Sequence, residues 1–191
     1  SSISRRQMLQ RLGGFSAVAA GVLAASPSRS AAGSVAPILS LLLDETGPVY
    51  EPFYFGFETL WTSPPWYTFE VGMSWTIVCD ESYQGNCSAK SKAITDDQIT
   101  GLILTLDLPE DGFFSFYRRV SSEEDWDKLW FGMDGVWMEN WSGEVAWAQE
   151  TYAVTAGSHY FHWAYVKDGS ASAGDDCAWI DEVRFELQPP Y

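Results

Sequence analysis

The sequence predicts an all-β fold, an antiparallel β-sandwich of the jelly-roll, concanavalin-like kind. Three observations predict it. Between Gly112 and Leu187, short runs of aromatic and β-branched residues alternate with Gly, Asp, Ser and Asn, the pattern of strands joined by turns. Asp134-Gly135 supplies the positive φ angles of a tight hairpin between LWFGM and VWMENW. Ten Trp, nine Tyr and eleven Phe make the apolar content aromatic, which favours sheets over helices.

The opening strand is expected over Phe53–Leu60 (FYFGFETL), with Phe53, Phe55 and Phe57 on one face. Pro64-Pro65 interrupts pairing and marks a loop or edge before a strand near Met73–Val78. In Gly101–Leu108 the residues Leu102, Leu104, Leu106 and Leu108 share a face opposite Ile103, Thr105 and Asp107, which suits a sheet with one side buried. Phe113–Val120 returns after the turn Pro109-Glu110-Asp111-Gly112, with Phe114, Phe116 and Arg118 on one side. The acidic run Glu123-Glu124-Asp125 reads as a solvated crossover. Leu129–Met133 and Val136–Trp141 form the hairpin, followed by strands over Val145–Val154, His159–Lys167 and Ala178–Leu187. About nine strands at regular spacing make two stacked layers.

The N-terminus reads as targeting. Ser4-Arg5-Arg6-Gln7-Met8-Leu9 resembles a twin-arginine export motif, followed by the weakly apolar Leu12–Ala25 and the small residues before Gly33. Residues 1–32 are thus a helical leader, a signal cleaved near Ala32 or an uncleaved anchor, because fourteen apolar residues fall short of the roughly 20 a spanning helix needs. Residues 33–52, with the apolar run VAPILSLLL, form a linker or docking segment, and 53–191 the sandwich. The expected location is the periplasm or cell surface of a bacterium, with membrane contact only through the N-terminal segment if it is retained.

A formal net charge of −15 understates the acidity of the body, since Arg5, Arg6, Arg11 and Arg29 lie in the first 32 residues, which contain no acid. Such a surface repels phosphate backbones and excludes nucleic acid as a partner. Cys79 and Cys87 flank DESYQGN, and a local disulfide closing a strand-to-strand loop is the preferred pairing. Three cysteines nevertheless allow three single pairings, and Cys177 is left over.

SFYRRVSSEEDWDKLWFGMDGV, WSGEVAWAQETYAVTAGSHYFHWAYVKDG and GDDCAWIDEVRF, with FGFETL as the opening strand, resemble the jelly-roll modules of bacterial surface proteins related to MAM domains and to the adhesin domains of secreted proteases. The resemblance covers about Phe55–Glu186. It implies adhesion, glycan-binding or spacer roles, and a structural calcium held by a Glu of the opening strand and an Asp of the closing one, here Glu58 and Asp181.

No catalytic apparatus is legible. His159 and His162 sit three apart on a strand and so point to opposite faces, no GxSxG is present, and nothing singles out a carboxylate pair among 26 acids. The remaining signal is aromatic. Trp137, Glu139 and Trp141 alternate onto one side of their strand and Lys128 and Trp130 onto one side of theirs, so a platform of Trp130, Trp137 and Trp141 is expected outside the core. The sequence thus points to a noncatalytic extracytoplasmic module that docks on a protein partner or membrane-associated complex. The alternative is a carbohydrate-binding module that uses these tryptophans with calcium support.

Overall fold

The computed structural model describes residues 52–61, 64–69 and 75–187. Every regular element among them is a β-strand: β1 (Phe53–Phe55), β2 (Trp66–Phe69), β3 (Thr76–Val78), β4 (Ser88–Lys90), β5 (Ile99–Leu108), β6 (Gly112–Ser121), β7 (Lys128–Met133), β8 (Val136–Trp141), β9 (Glu144–Val154), β10 (Gly157–Val166) and β11 (Cys177–Leu187). The leader assigned to 1–32 and the segment that follows it, up to residue 51, lie outside the described residues.

The strands form two antiparallel sheets. One runs β3-β4-β11-β6-β9, with β1 also paired to β11, and the other runs β2-β5-β10-β7-β8. Their inner faces bury a core built largely of rings. Phe114 of β6 stacks on Phe161 of β10 with centroids 3.6 Å apart, and Phe116 meets Trp163 edge-on at 5.2 Å. Leu102, Leu104 and Leu108 enter from β5, Phe131 from β7, and Ala178 and Ile180 from β11. At Glu182, whose φ is 52°, the β11 register shifts against β6, and the inward positions become Val183 and Phe185. The hairpin forms at Asp134-Gly135 with φ of 52° and 80°, the two left-handed residues that a two-residue turn needs.

One expectation is corrected, and two short strands are added to those expected. The opening strand stops at Phe55, because Phe57 takes a φ of 58° and leaves the ladder. Its ring still reaches the core, edge-on to Phe55 at 5.1 Å. β2 follows Pro65 directly, as a four-residue strand at a sheet edge where a missing N–H costs no ladder bond. β4, with sequence SAK, has no apolar alternation to announce it, and these two short strands raise the count to eleven among the described residues.

Candidate functional site

The two outer faces of the sandwich differ. On the six-stranded sheet, the outer face carries Tyr117, Arg119 and Trp179, and the loop between β3 and β4 folds over it. Cys79 and Cys87 are joined by a disulfide at the base of that loop. Tyr83 at its tip stacks on Tyr117 at 3.5 Å, and Glu81 pairs with Arg119 at 2.7 Å and accepts the Trp147 Nε1–H at 2.7 Å. Arg119 and Lys90 lie over the Trp179 ring.

Glu58 and Asp181 anchor the same loop. Glu58 Oε1 accepts the N–H groups of Asn86 (2.7 Å) and Cys87 (3.0 Å), which hold its carboxyl below the usual range. Asp181 Oδ2 accepts those of Tyr83 (2.9 Å) and Gln84 (3.1 Å), and its Oδ1 the N–H of Glu182 (2.8 Å). Burial raises Asp181 to about 6 against the pull of these donors. A calcium expected at Glu58 and Asp181 would have to share carboxylates that already hold the loop, although Glu58 Oε2 takes only the Asn86 side-chain amide at 3.3 Å. Among the described residues the acidic oxygens that converge are those of Glu123, Asp127 and Asp168, within 4.8 Å of one another.

The outer face of the five-stranded sheet is built otherwise. One register row crosses all five strands as Tyr67, Ile103, His162, Gly132 and Trp137, and the next as Phe69, Gly101, Ala164, Trp130 and Asn140. Small residues leave room for rings to lie on the sheet: a Cβ at Gly101 would meet the Phe69 ring at 1.6 Å, and one at Gly132 the His162 ring at 2.3 Å. Trp137 stands over His162 and edge-on to Trp130, with centroids 5.8 Å apart. Tyr160 extends the layer beside His162 at 5.5 Å. His162 Nδ1 and Trp130 Nε1 are buried in this layer without a hydrogen-bond partner. Burial pushes His162 down to about 4, so its ring is neutral at physiological pH.

Of the three tryptophans expected as a platform, Trp130 and Trp137 meet and Trp141 does not join them. A bulge between β7 and β8 leaves Met138 without a partner, so Trp137 faces Gly132 on the outside while Trp141 faces Leu129 on the inside. Trp141 packs on the core under the Arg118 guanidinium, 4.9 Å away. Strict alternation over VWMENW hides that switch. The sequence reading also missed Tyr67, Phe69, Tyr160 and His162. The signal that could have found them is the pair Gly101 and Gly132, interior strand positions where a close approach is the usual reason for glycine. His159 points to the opposite face from His162 and is bound to Asp134 Oδ2 (2.7 Å) and the Thr155 carbonyl (2.9 Å).

No protein-family model matches the chain, and no curated protein matches it in sequence. Solved structures resemble it in fold. A cleaved adhesin domain of Lys-gingipain from Porphyromonas gingivalis superposes with a TM-score of 0.54 at 14% identity, over 73% of this chain and 100% of that one. The secreted serine protease VesC of Vibrio cholerae gives 0.51 at 19% identity, over 63% of this chain and 24% of that one. A xylan-binding domain from Paenibacillus barcinonensis gives 0.48 at 19% identity, over 74% and 97%. By architecture the chain is a jelly-roll β-sandwich module.

Proposed function

We propose that the protein is a noncatalytic extracytoplasmic recognition module that docks through the outer face of its five-stranded sheet. The observation that carries this reading is the two-row strip itself. It crosses five strands, roughly 20 Å at about 4.8 Å per strand. It contains no carboxylate, lysine or arginine, in a chain of net charge −15. Solvated faces of so acidic a protein are charged, and a ring-lined strip without charge is a contact surface.

A protein partner is the first reading, with the N-terminal segment as a tether. A neutral glycan is the second, favoured by the exposed phenols of Tyr67 and Tyr160 beside the indoles, rings to stack on a sugar with hydroxyls at hand for hydrogen bonds. The two readings separate in one experiment. Soluble neutral polysaccharides are titrated while tryptophan fluorescence is followed, and a photo-crosslinker at position 67 is activated in the native cell envelope. A saturable fluorescence change abolished in Trp137→Ala supports the glycan. A discrete protein adduct abolished in Trp130→Ala, with no response to polysaccharide, supports the protein partner. Neither response would overturn the docking face.

A further inference from the structure

At the end of the central strand pair β10–β7, a lysine and an aspartate are enclosed together. Val166 pairs with Lys128, so Lys167 and Asp127 face each other one step beyond the ladder. Lys167 is 1% exposed and Asp127 0%. Lys167 Nζ lies 3.3 Å from Asp127 Oδ2, 2.6 Å from Ser172 Oγ, and in contact with Asp176 Oδ2. Asp176 is fixed in turn by the Tyr165 hydroxyl, which donates to its Oδ1 at 2.9 Å. The two oxygens of Asp127 differ. Oδ1 accepts the backbone N–H of Asp168 at 3.0 Å, while Oδ2 has the ammonium as its neighbour and no hydrogen-bond donor aligned on it. Acidic oxygens of Glu123 and Asp168 crowd the same carboxyl.

We propose that Lys167 and Asp127 are a modification site, at which they condense to an intramolecular amide with Asp176 as the proton carrier. Two opposite charges enclosed together lose more hydration than their attraction returns unless the geometry is excellent, and a neutral amide of the same atoms removes both charges. The steps balance without an oxidant or cofactor. The ammonium first gives one proton to Asp127 Oδ2 across their contact, leaving an amine and a carboxylic acid. Nζ then attacks Cγ, one C–O bond beyond Oδ2, and the C–N bond forms. Asp176 takes a proton from nitrogen and delivers it to Oδ2, the Cγ–Oδ2 bond breaks, and water leaves. Oδ1 remains as the amide oxygen, still accepting from Asp168, and the amide N–H is left to donate to Asp176. Burial raises Asp127 above the ordinary aspartate range and favours the protonated acid that this route requires, while Asp176 and Asp127 hold Lys167 above the ordinary lysine range against its own burial, so the first proton transfer is the uphill step. The product is a cross-link between the ends of the neighbouring strands β7 and β10, closing a ring of chain that contains β7 to β10.

The test is a tryptic map by mass spectrometry of the full chain, purified folded and then reduced. An amide at Lys167 blocks cleavage there, so residues 120–128 appear joined to residues 129–184, lighter than the sum of peptides 120–128 and 129–184 by one water, about 18 Da. Asp127→Ala and Lys167→Arg should each restore the separate peptides 120–128, 129–167 and 168–184. Asp176→Asn keeps both reacting groups and should lose most of the linked species. Wild-type protein with native near-ultraviolet circular dichroism that yields the separate peptides overturns the proposal, whatever the variants do. So does a missing water that maps to other residues.

Discussion

The indole of Trp137 stands edge-on against the imidazole of His162, with centroids 4.4 Å apart and planes at 72°. Because His162 lies over Gly132, the ring is enclosed from below by the sheet and from above by Trp137. Replacing Trp137 with Ala should therefore open His162 to water and move its midpoint from about 4 towards 6.5, read by NMR titration of the imidazole. An unchanged midpoint would mean that the sheet alone shields the ring.

The same substitution should cost little stability. Trp137 is half-buried on an outer face, whereas Trp163 is 0% exposed in the core. Trp163→Ala should lower stability by about 3–5 kcal/mol, while Trp137→Ala should stay near the ~1 kcal/mol typical of single substitutions. Urea unfolding of both variants checks the contrast, and equal losses would make Trp137 a core residue rather than part of a docking face.

The disulfide-closed loop gives a prediction about metal. Since Glu58 and Asp181 receive backbone N–H groups, thermal stability should be indifferent to calcium and to chelator. Glu58→Gln should loosen the loop and lower Tm equally in both conditions. A calcium-dependent rise in Tm that disappears in Glu58→Gln would show that a cation displaces the amide hydrogens.

How far the sequence reaches is set by what each element advertises. Leu102, Leu104, Phe114 and Phe116 alternate in long strands, and their burial was legible residue by residue. The Asp134-Gly135 turn was legible because its left-handed angles are a chemical demand. The opening strand was misjudged because Phe57 continues the aromatic alternation in sequence while leaving the ladder in space. Trp141 was misplaced for a related reason. Met138 adds one residue to β8, and a single added residue inverts every facing beyond it. Tyr67 and Phe69 could not be joined to Trp137 without the strand order β2-β5-β10-β7-β8, which no local pattern encodes.

The bulge itself can be tested. Phe131 pairs with Glu139 and Gly132 with Trp137, so removing the unpaired Met138 leaves both pairings in one continuous register. Deletion of Met138 should keep the fold and the Trp137–His162 contact, visible as an unchanged low imidazole midpoint. A midpoint near 6.5 would show that the extra residue, rather than the pairing, aims Trp137.

The pH dependence of stability should show two opposing slopes. His162 sits at about 4 in the fold against 6.5 in the unfolded chain, so its contribution is present above 6.5 and is lost as pH falls through about 4. Asp181 sits at about 6 against 3.8, so its contribution is present below 3.8 and is lost as pH rises through about 6. Between pH 4 and 6 the unfolded chain binds the histidine proton and the fold binds the aspartate proton. Each slope is about 1.4 kcal/mol per pH unit at most, and they offset. Glu150 and Asp127, also raised by burial, add to the slope that falls with pH. Wild-type urea midpoints should therefore change little across this window. In His162→Phe only the falling slopes remain and stability should fall more steeply as pH rises from 4 to 6; in Asp181→Asn the balance should shift towards a rise. Parallel profiles for the wild type and His162→Phe would place the imidazole in contact with solvent and remove the enclosed layer on which the docking face depends.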